Sequence, residues 1–334
     1  MSAMTYVSAS APGKLMLFGD HAVVHGHPCI VTAVDQRITA TVRKNGEDVF
    51  YLTAPDLGLT AYSKTLADLG KKELPKGVRF IEMLYKRFLE KYPQQEGIVV
   101  TTQSEFSSLF GFGSSSAVTV AFAKALVTLY ELSLSNKELF DLCYQSVIDV
   151  QGVGSGFDIA SAIWGRTLYY VAPAKVVETI ELPQGILPLV VGYTGIKADT
   201  PTLVRMVQSH LQTEPEKITG YFKQIHAYTD QAKVEMKAGN WPAVGRLMSE
   251  NQQLLSKLNV SGVKLDELIL ASLEHGAFGA KLSGAGGGDC MIALVDSARE
   301  NAPQVEAALT EHGGKVMNVA LDAEGVRLEH QGQV

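Results

Sequence analysis

Glycines at 111 and 113 followed by serines at 114, 115 and 116 form the most chemically suggestive stretch of this chain, SSLFGFGSSSA over 107–117. The glycines let the backbone turn tightly and come close to a ligand. The serines open an apolar, alanine-rich run from Val118 to Tyr130 that reads as a helix. A helix start carries unpaired N–H groups and a partial positive charge, so such a loop is suited to holding an anion. Ser115 and Ser116 add hydroxyls for phosphate oxygens or a magnesium ion. The same letters also suit a plain serine N-cap. Two common nucleotide loops are excluded. No lysine follows Gly113 as a P-loop requires, and Ser116 stands where the dinucleotide fingerprint needs its third glycine.

Three further motifs accompany this loop. In SAPGKLMLFGDHAVVHGHPCIVTAVD, residues 10–35, Lys14 follows Pro-Gly and leads an apolar strand. Its ammonium either enters a site or lies solvated at the strand start. Asp20 and His21 follow Gly19 in a second turn, as a cap with a packed ring or as ligand contacts. His25 and His27 decorate the turn before Pro28, and no carboxylate or cysteine completes a zinc set with them. In QGVGSGFD, residues 151–158, Asp158 is either a helix cap or a carboxylate that substrate approaches across a glycine loop. In GAFGAKLSGAGGGDC, residues 276–290, Gly284 and Gly286–Gly288 allow a second anion-facing nest of amides. A surface turn is the plainer alternative there, but apolar runs on both sides imply a loop held between structured elements.

These motifs need a sizeable scaffold, and 334 residues suffice for two domains. A hydrophobic fraction of 46% with 19% charged residues suits a globular enzyme, and the net charge of −6 argues against nucleic acid as partner. Cysteines 29, 143 and 290 are widely spaced and read as reduced thiols in a cytoplasm. No signal peptide and no membrane-spanning run is expected. Strands are expected at 5–11, 29–43, 97–102, 168–172, 290–295 and 315–321, with a buried strand in LPLVVGYT. Helices are expected at 78–91, 115–131, 136–148, 200–211, 216–238, 241–256, 263–274 and 297–312. Residues 52–76 read as a variable excursion or lid, and 182–185 as a linker. The pattern is α+β.

Taken in order, residues 10–35, 111–120, 152–165 and 276–295 resemble the GHMP small-molecule kinases, a family named after galactokinase, homoserine kinase, mevalonate kinase and phosphomevalonate kinase. The likeness spans nearly the whole chain. The first and last motifs and GYTGIKADTPTLV over 192–204 are most similar to the mevalonate-phosphorylating branch, whereas QGVGSGFDIASAIWG resembles the phosphomevalonate branch. The resemblance implies a two-domain GHMP kinase fold. Residues 1–183 would form a domain like domain 2 of ribosomal protein S5, and 184–334 a ferredoxin-like domain. It implies ATP and Mg²⁺ as cofactors and mevalonate as the small-molecule partner, with the γ-phosphoryl group passing to the C5 hydroxyl. Phosphomevalonate is the alternative acceptor, with Lys197 and Arg205 as cations near the 192–204 segment. A homodimer is compatible with the reading. A non-catalytic ligand-binding relative is the rival from another class, and the joint presence of Lys14, Ser115 and Asp158 argues against it.

The same resemblance implies the site roles. Asp158 would be the catalytic carboxylate, with Lys14 stabilising it and the developing charge. Gly111, Gly113, Ser114, Ser115 and Ser116 would hold the ATP phosphates, and Gly284, Gly286 and Gly287 would line the phosphate site. Asp20, His21 and Thr200 would contact the acid substrate. Ser115 would ligate magnesium. Val147 stands where the family's magnesium-binding glutamate is expected, and Asp149 is the nearby substitute. Gly154 replaces a proline of the family pattern, and Asp20 a longer glutamate.

Overall fold

The computed structural model describes residues 5–333 apart from 73, 76 and 108. Its first body contains strands β1 (Thr5–Phe18), β2 (Cys29–Lys44), β3 (Val49–Ala54), β4 (Leu59–Thr65), β5 (Ile98–Ser104), β6 (Thr167–Val171) and β7 (Val176–Thr179). Its helices are α1 (Arg79–Lys91), α2 (Ser114–Leu129), α3 (Asn136–Gln151) and α4 (Phe157–Trp164). The second body holds β8 (Leu189–Tyr193), α5 (Thr200–Thr213), α6 (Pro215–Ala238), α7 (Trp241–Lys257), α8 (Val263–Glu274), β9 (Gly279–Ser283), β10 (Cys290–Leu294), α9 (Ala302–Glu311) and β11 (Lys315–Val316). The chain ends on β12 (Arg327–Gln333).

The long strands β1 and β2 are the spine of the first sheet, whose order is β12-β1-β2-β5-β3-β4, with β6 and β7 continuing from the other half of β2. Side chains alternate across a pleated strand, and β1 uses both faces. Val7, Ala9, Ala11 and Met16 enter the core under α1–α4, whereas Leu15 and Leu17 enter a core shared with Leu189, Val191 and Trp241 of the second body. The two bodies are therefore joined by apolar packing. The second sheet runs β11-β8-β10-β9 with antiparallel neighbours, and its chain order of β, α, β, β, α, β is ferredoxin-like, as expected. Its first crossover carries four helices, α5–α8.

Three expectations are corrected. Residues 52–76 are mostly regular: β3 and β4 pair as a hairpin turned at Pro55–Leu57, and β3 adds to the sheet edge beside β5. Residues 73 and 76 of that segment lie outside the described residues. The division at 183–184 does not hold at the C-terminus, because β12 pairs with β1 in the first sheet. Arg37 secures this return: its guanidinium donates to the Glu324 and Gly325 carbonyls at 2.9 and 2.7 Å and to the Ser10 hydroxyl at 2.6 Å. The strand expected over 315–321 pairs in sheet only at Lys315–Val316. Strands β7, β9 and β12 and helix α4 lie outside the expected elements.

Helix α7 lies on β9 by direct backbone contact. A methyl group at Gly245 would sit 2.4 Å from the Phe278 carbonyl carbon, and one at Gly279 would sit 1.9 Å from the Gly245 oxygen. This approach fixes β9, which leads straight into the 284–288 loop. Gly245→Ala should therefore lower unfolding stability by about 1–3 kcal/mol through overpacking. That loss should prevail over the roughly 1 kcal/mol of helix propensity gained with alanine. A urea midpoint at or above that of the unaltered chain would refute the contact.

Candidate active site

Lys14, Gly111, Gly113 and Asp158 come together, although up to 144 positions separate them in the chain. The Lys14 backbone N–H donates to the Phe112 carbonyl at 2.9 Å, so β1 itself pins the glycine-serine loop. The Lys14 ammonium donates to the Gly111 carbonyl at 3.1 Å, stands 3.4 Å from Asp158 Oδ1 and lies over the Phe157 ring. Gly113 adopts φ +75, and a Cβ there would crowd Lys14 Cε at 3.2 Å. Asp158 lies in the first turn of α4 and caps nothing: the N-cap is Gly156, and no side-chain cap bond exists. Its Oδ1 is buried without a hydrogen-bond partner. The helix-cap alternative for Asp158 is thereby removed.

Two tyrosines hold the loop before Asp158. Tyr144 Oη donates to the Gly154 carbonyl at 2.9 Å, and Tyr170 Oη donates to that of Ser155 at 2.6 Å. Gly156, at φ +81, is packed so closely that a methyl would meet Phe140 and Tyr144 at 2.9 Å. Side-chain anchoring thus replaces the stiffness that a proline at 154 would supply. Neither tyrosine stands out in the sequence, because each shares its element with another aromatic, Phe140 on α3 and Tyr169 on β6.

The loop over 111–115 is open. Among the described residues, no acceptor meets the N–H groups of Gly111, Phe112, Gly113, Ser114 or Ser115, and α2 begins on Gly113 without a side-chain cap. The serine N-cap reading therefore fails. What remains is a curved row of backbone donors at a helix N-terminus, the arrangement that receives an anionic oxygen cluster. Ser116 is buried, while Ser114 and Ser115 are partly open.

The first and last motifs meet differently from expectation. Asp20 is fully buried, and its carboxylate accepts from Lys281 Nζ at 2.6 Å and from the Gly284 N–H at 2.8 Å. It joins the two bodies and presents no exposed surface to a substrate. His21 Nε2 lies 2.9 Å from the Ala285 carbonyl, and burial pulls its pKa below the ordinary imidazole value. The neutral ring with Nε2 as donor satisfies both facts. Ser283 Oγ accepts from the Met16 N–H and donates to the Met16 carbonyl. The amides of Gly284 and Gly287 are spent on Asp20 and on the Val260 carbonyl, which leaves Ala285, Gly286 and Gly288 with open N–H groups among the described residues. The second nest is therefore smaller than its glycines suggest.

Thr200 opens α5 as an exposed residue and makes no hydrogen bond to Lys14, Asp158 or the glycine loops. Asp149 is engaged by Arg87, whose Nε and Nη2 lie 2.8 and 2.6 Å from its Oδ2. To serve a cation at Ser115 it would have to leave that pair. Val147 is a buried core residue with no donor to offer, and no cluster of three or more His, Cys, Asp or Glu suited to a metal occurs among the described residues. No helix among them is long and apolar enough to cross a membrane.

Comparison with known proteins places the fold in a family. The profile "GHMP kinases N terminal domain" matches residues 79–166, and "GHMP kinases C terminal" matches 232–315. The mevalonate kinase of Thermococcus onnurineus is 36% identical over 97% of this chain and 98% of that protein. That of Pyrococcus abyssi is 34% identical with the same coverage. Among solved structures, the mevalonate kinase of Methanococcus jannaschii superposes with a TM-score of 0.80 at 26% identity, over 95% of this chain and 98% of that one.

Two outcomes follow for the seam between the bodies. Asp20→Asn leaves the Lys281 ammonium buried without a charge partner and should cost about 3–5 kcal/mol of stability. The double variant Asp20→Leu with Lys281→Met should recover most of that loss, and urea unfolding of all three proteins measures it. His21 contributes to the acid side, with His25 and His27, whose pKa values burial also lowers. As pH falls through about 6.5, the unfolded chain takes up a proton that native His21 resists. Stability present above that pH should therefore decline by up to about 1.4 kcal/mol per pH unit. His21→Gln, which keeps an N–H donor but cannot titrate, should flatten the decline.

Proposed function

Because the chain belongs to the GHMP kinase family, we propose that it is an ATP-dependent mevalonate kinase that transfers the γ-phosphoryl group to the C5 hydroxyl of mevalonate. The observation that carries the reading is the Lys14–Asp158 pair, with its bond-free Oδ1, beside the open amides of 111–115. Phosphoryl transfer needs alignment and charge neutralisation rather than covalent help from the protein. The amides of Gly111 to Ser115 and the α2 N-terminus receive the phosphate oxygens. The Lys14 ammonium neutralises charge that grows on the transferred group and keeps Asp158 aimed. Asp158 Oδ1 accepts the hydroxyl proton as the acceptor oxygen attacks phosphorus.

The row of free donors and the partly open Ser115 hydroxyl fit a metal-bound nucleotide. Magnesium would be held by Ser115 Oγ with phosphate oxygens and would supply further charge neutralisation. The chain offers Val147 and the Arg87-bound Asp149 where a second protein ligand is expected, so phosphates and water would complete the shell.

Phosphomevalonate is the less suited acceptor. A second phosphate wants Lys or Arg partners, yet Lys197 is paired with Asp289 and Arg205 donates to Thr202 Oγ1. A coupled ADP-release assay should give kcat/KM for mevalonate at least about tenfold above phosphomevalonate. The reverse order would move the assignment to the other branch. Asp158→Asn should lower kcat by roughly 10²–10⁴ with little change in ATP binding; retention of more than about a tenth of kcat would remove Asp158 from the chemistry. Ser115→Ala should lower kcat and raise the magnesium needed for half-maximal rate, and an unchanged magnesium titration would exclude it as a ligand.

A further inference from the structure

Asp289 ends the last glycine loop in a backbone conformation that ordinarily favours glycine, φ +54. Nearly every polar group of the residue reaches the 194–198 segment. Its N–H donates to the Ile196 carbonyl at 2.7 Å, and its carbonyl accepts from the Thr194 N–H and hydroxyl at 2.9 and 3.0 Å. Its Oδ1 accepts from the Ala198 N–H at 3.0 Å and from Lys197 Nζ at 3.2 Å. On its other side the carboxylate presses on the phosphate loop: a methyl at Gly111 would lie 2.6 Å from Asp289 Oδ2. The Gly111 carbonyl in turn holds the Lys14 ammonium, which faces Asp158. A continuous line of contacts thus runs from the segment that opens α5 to the reacting pair.

We propose that Asp289 is a positioning residue for the phosphoryl acceptor, its carboxylate clamping the 194–198 segment and the start of α5 against the phosphate loop. The proposal deepens the kinase reading above and rests on it for the identity of the acceptor. Residues 195–197 are exposed and α5 begins two residues beyond Ala198, so the Ala198 hydrogen bond extends the backbone hold on Thr194 and Ile196 toward the start of the helix. Bringing acceptor and phosphoryl group into register is worth large rate factors, and a displacement of about 1 Å can cost up to about a hundredfold. The side chain is also short and only 12% exposed, so it acts through its neighbours rather than on substrate.

Asp289→Gly tests this without strain, because glycine accepts the left-handed backbone. The expected result is a KM for mevalonate raised about tenfold or more, with KM for ATP within about threefold and an unaltered fold by circular dichroism. Asp289→Asn keeps an oxygen for the Ala198 N–H and should restore the mevalonate KM to within about threefold. In hydrogen exchange without ligands, the glycine variant should lose protection at Ala198 while β10 keeps its own. This second readout does not depend on the substrate, so failure of the unaltered chain to phosphorylate mevalonate overturns the function and not the clamp. Unchanged Ala198 protection in the glycine variant would overturn the clamp. So would a parallel rise in both KM values with a lowered Tm, which marks general loosening, and so would an asparagine variant as damaged as the glycine one.

Discussion

Two opposite charges with no exposed surface, Asp20 and Lys281, meet between the bodies, and the site depends on that meeting. An isolated buried charge costs several kcal/mol in lost hydration, so each group requires the other in place. Asp20 follows β1 by two residues, and Lys281 is the middle residue of β9. Their contact sets the end of one strand against the other. The remaining carboxylate oxygen takes the Gly284 amide, so the same pair also orients the last glycine loop. Lys14 lies upstream on β1 and Asp289 just beyond that loop. Both sides of the cleft are thus referred to one ion pair.

The cleft is built from unfinished hydrogen bonding. Two helices, α2 and α4, begin on left-handed glycines with no side-chain cap, and the amides around the first stay open. Buried polar groups are normally satisfied, and leaving one without a partner costs about 1–3 kcal/mol. Here the deficit is concentrated where an anionic ligand would supply the acceptors. Compensation lies in the surroundings: tyrosines 144 and 170 fix the 154–155 carbonyls, and Lys14 binds across the loop. Stability is drawn from the walls, and the loop donors stay open among the described residues.

The second body contributes support more than chemistry. Its ferredoxin-like sheet places β9 and β10 side by side, so the glycine loop between them is held at both ends. Leu15, Leu17 and Phe18 share a core with Leu189, Val191 and Trp241, which binds the bodies through a hydrophobic interface rather than a flexible hinge. Lys197 and Asp289 then connect the 194–198 segment to this rigid frame.

Local signals decided much of this protein from its sequence. Apolar spacing at the helical period placed α3 and α5–α8 within a few residues of their observed bounds. Glycines at 111, 113, 284, 286 and 287 marked left-handed backbone because such positions rarely accept other residues. The pairing of Lys14 with Asp158 and the loop at 111–116 were legible as family motifs. Tertiary structure alone decided which donors stay free. Asp20 found Lys281 at a separation of 261 positions, Asp149 found Arg87 at 62, and β12 returned to β1 through Arg37. No local pattern encodes those encounters. A side chain's partner depends on where the folded sheets carry it, and desolvation then commits a carboxylate such as Asp20 to the nearest buried cation rather than to a ligand.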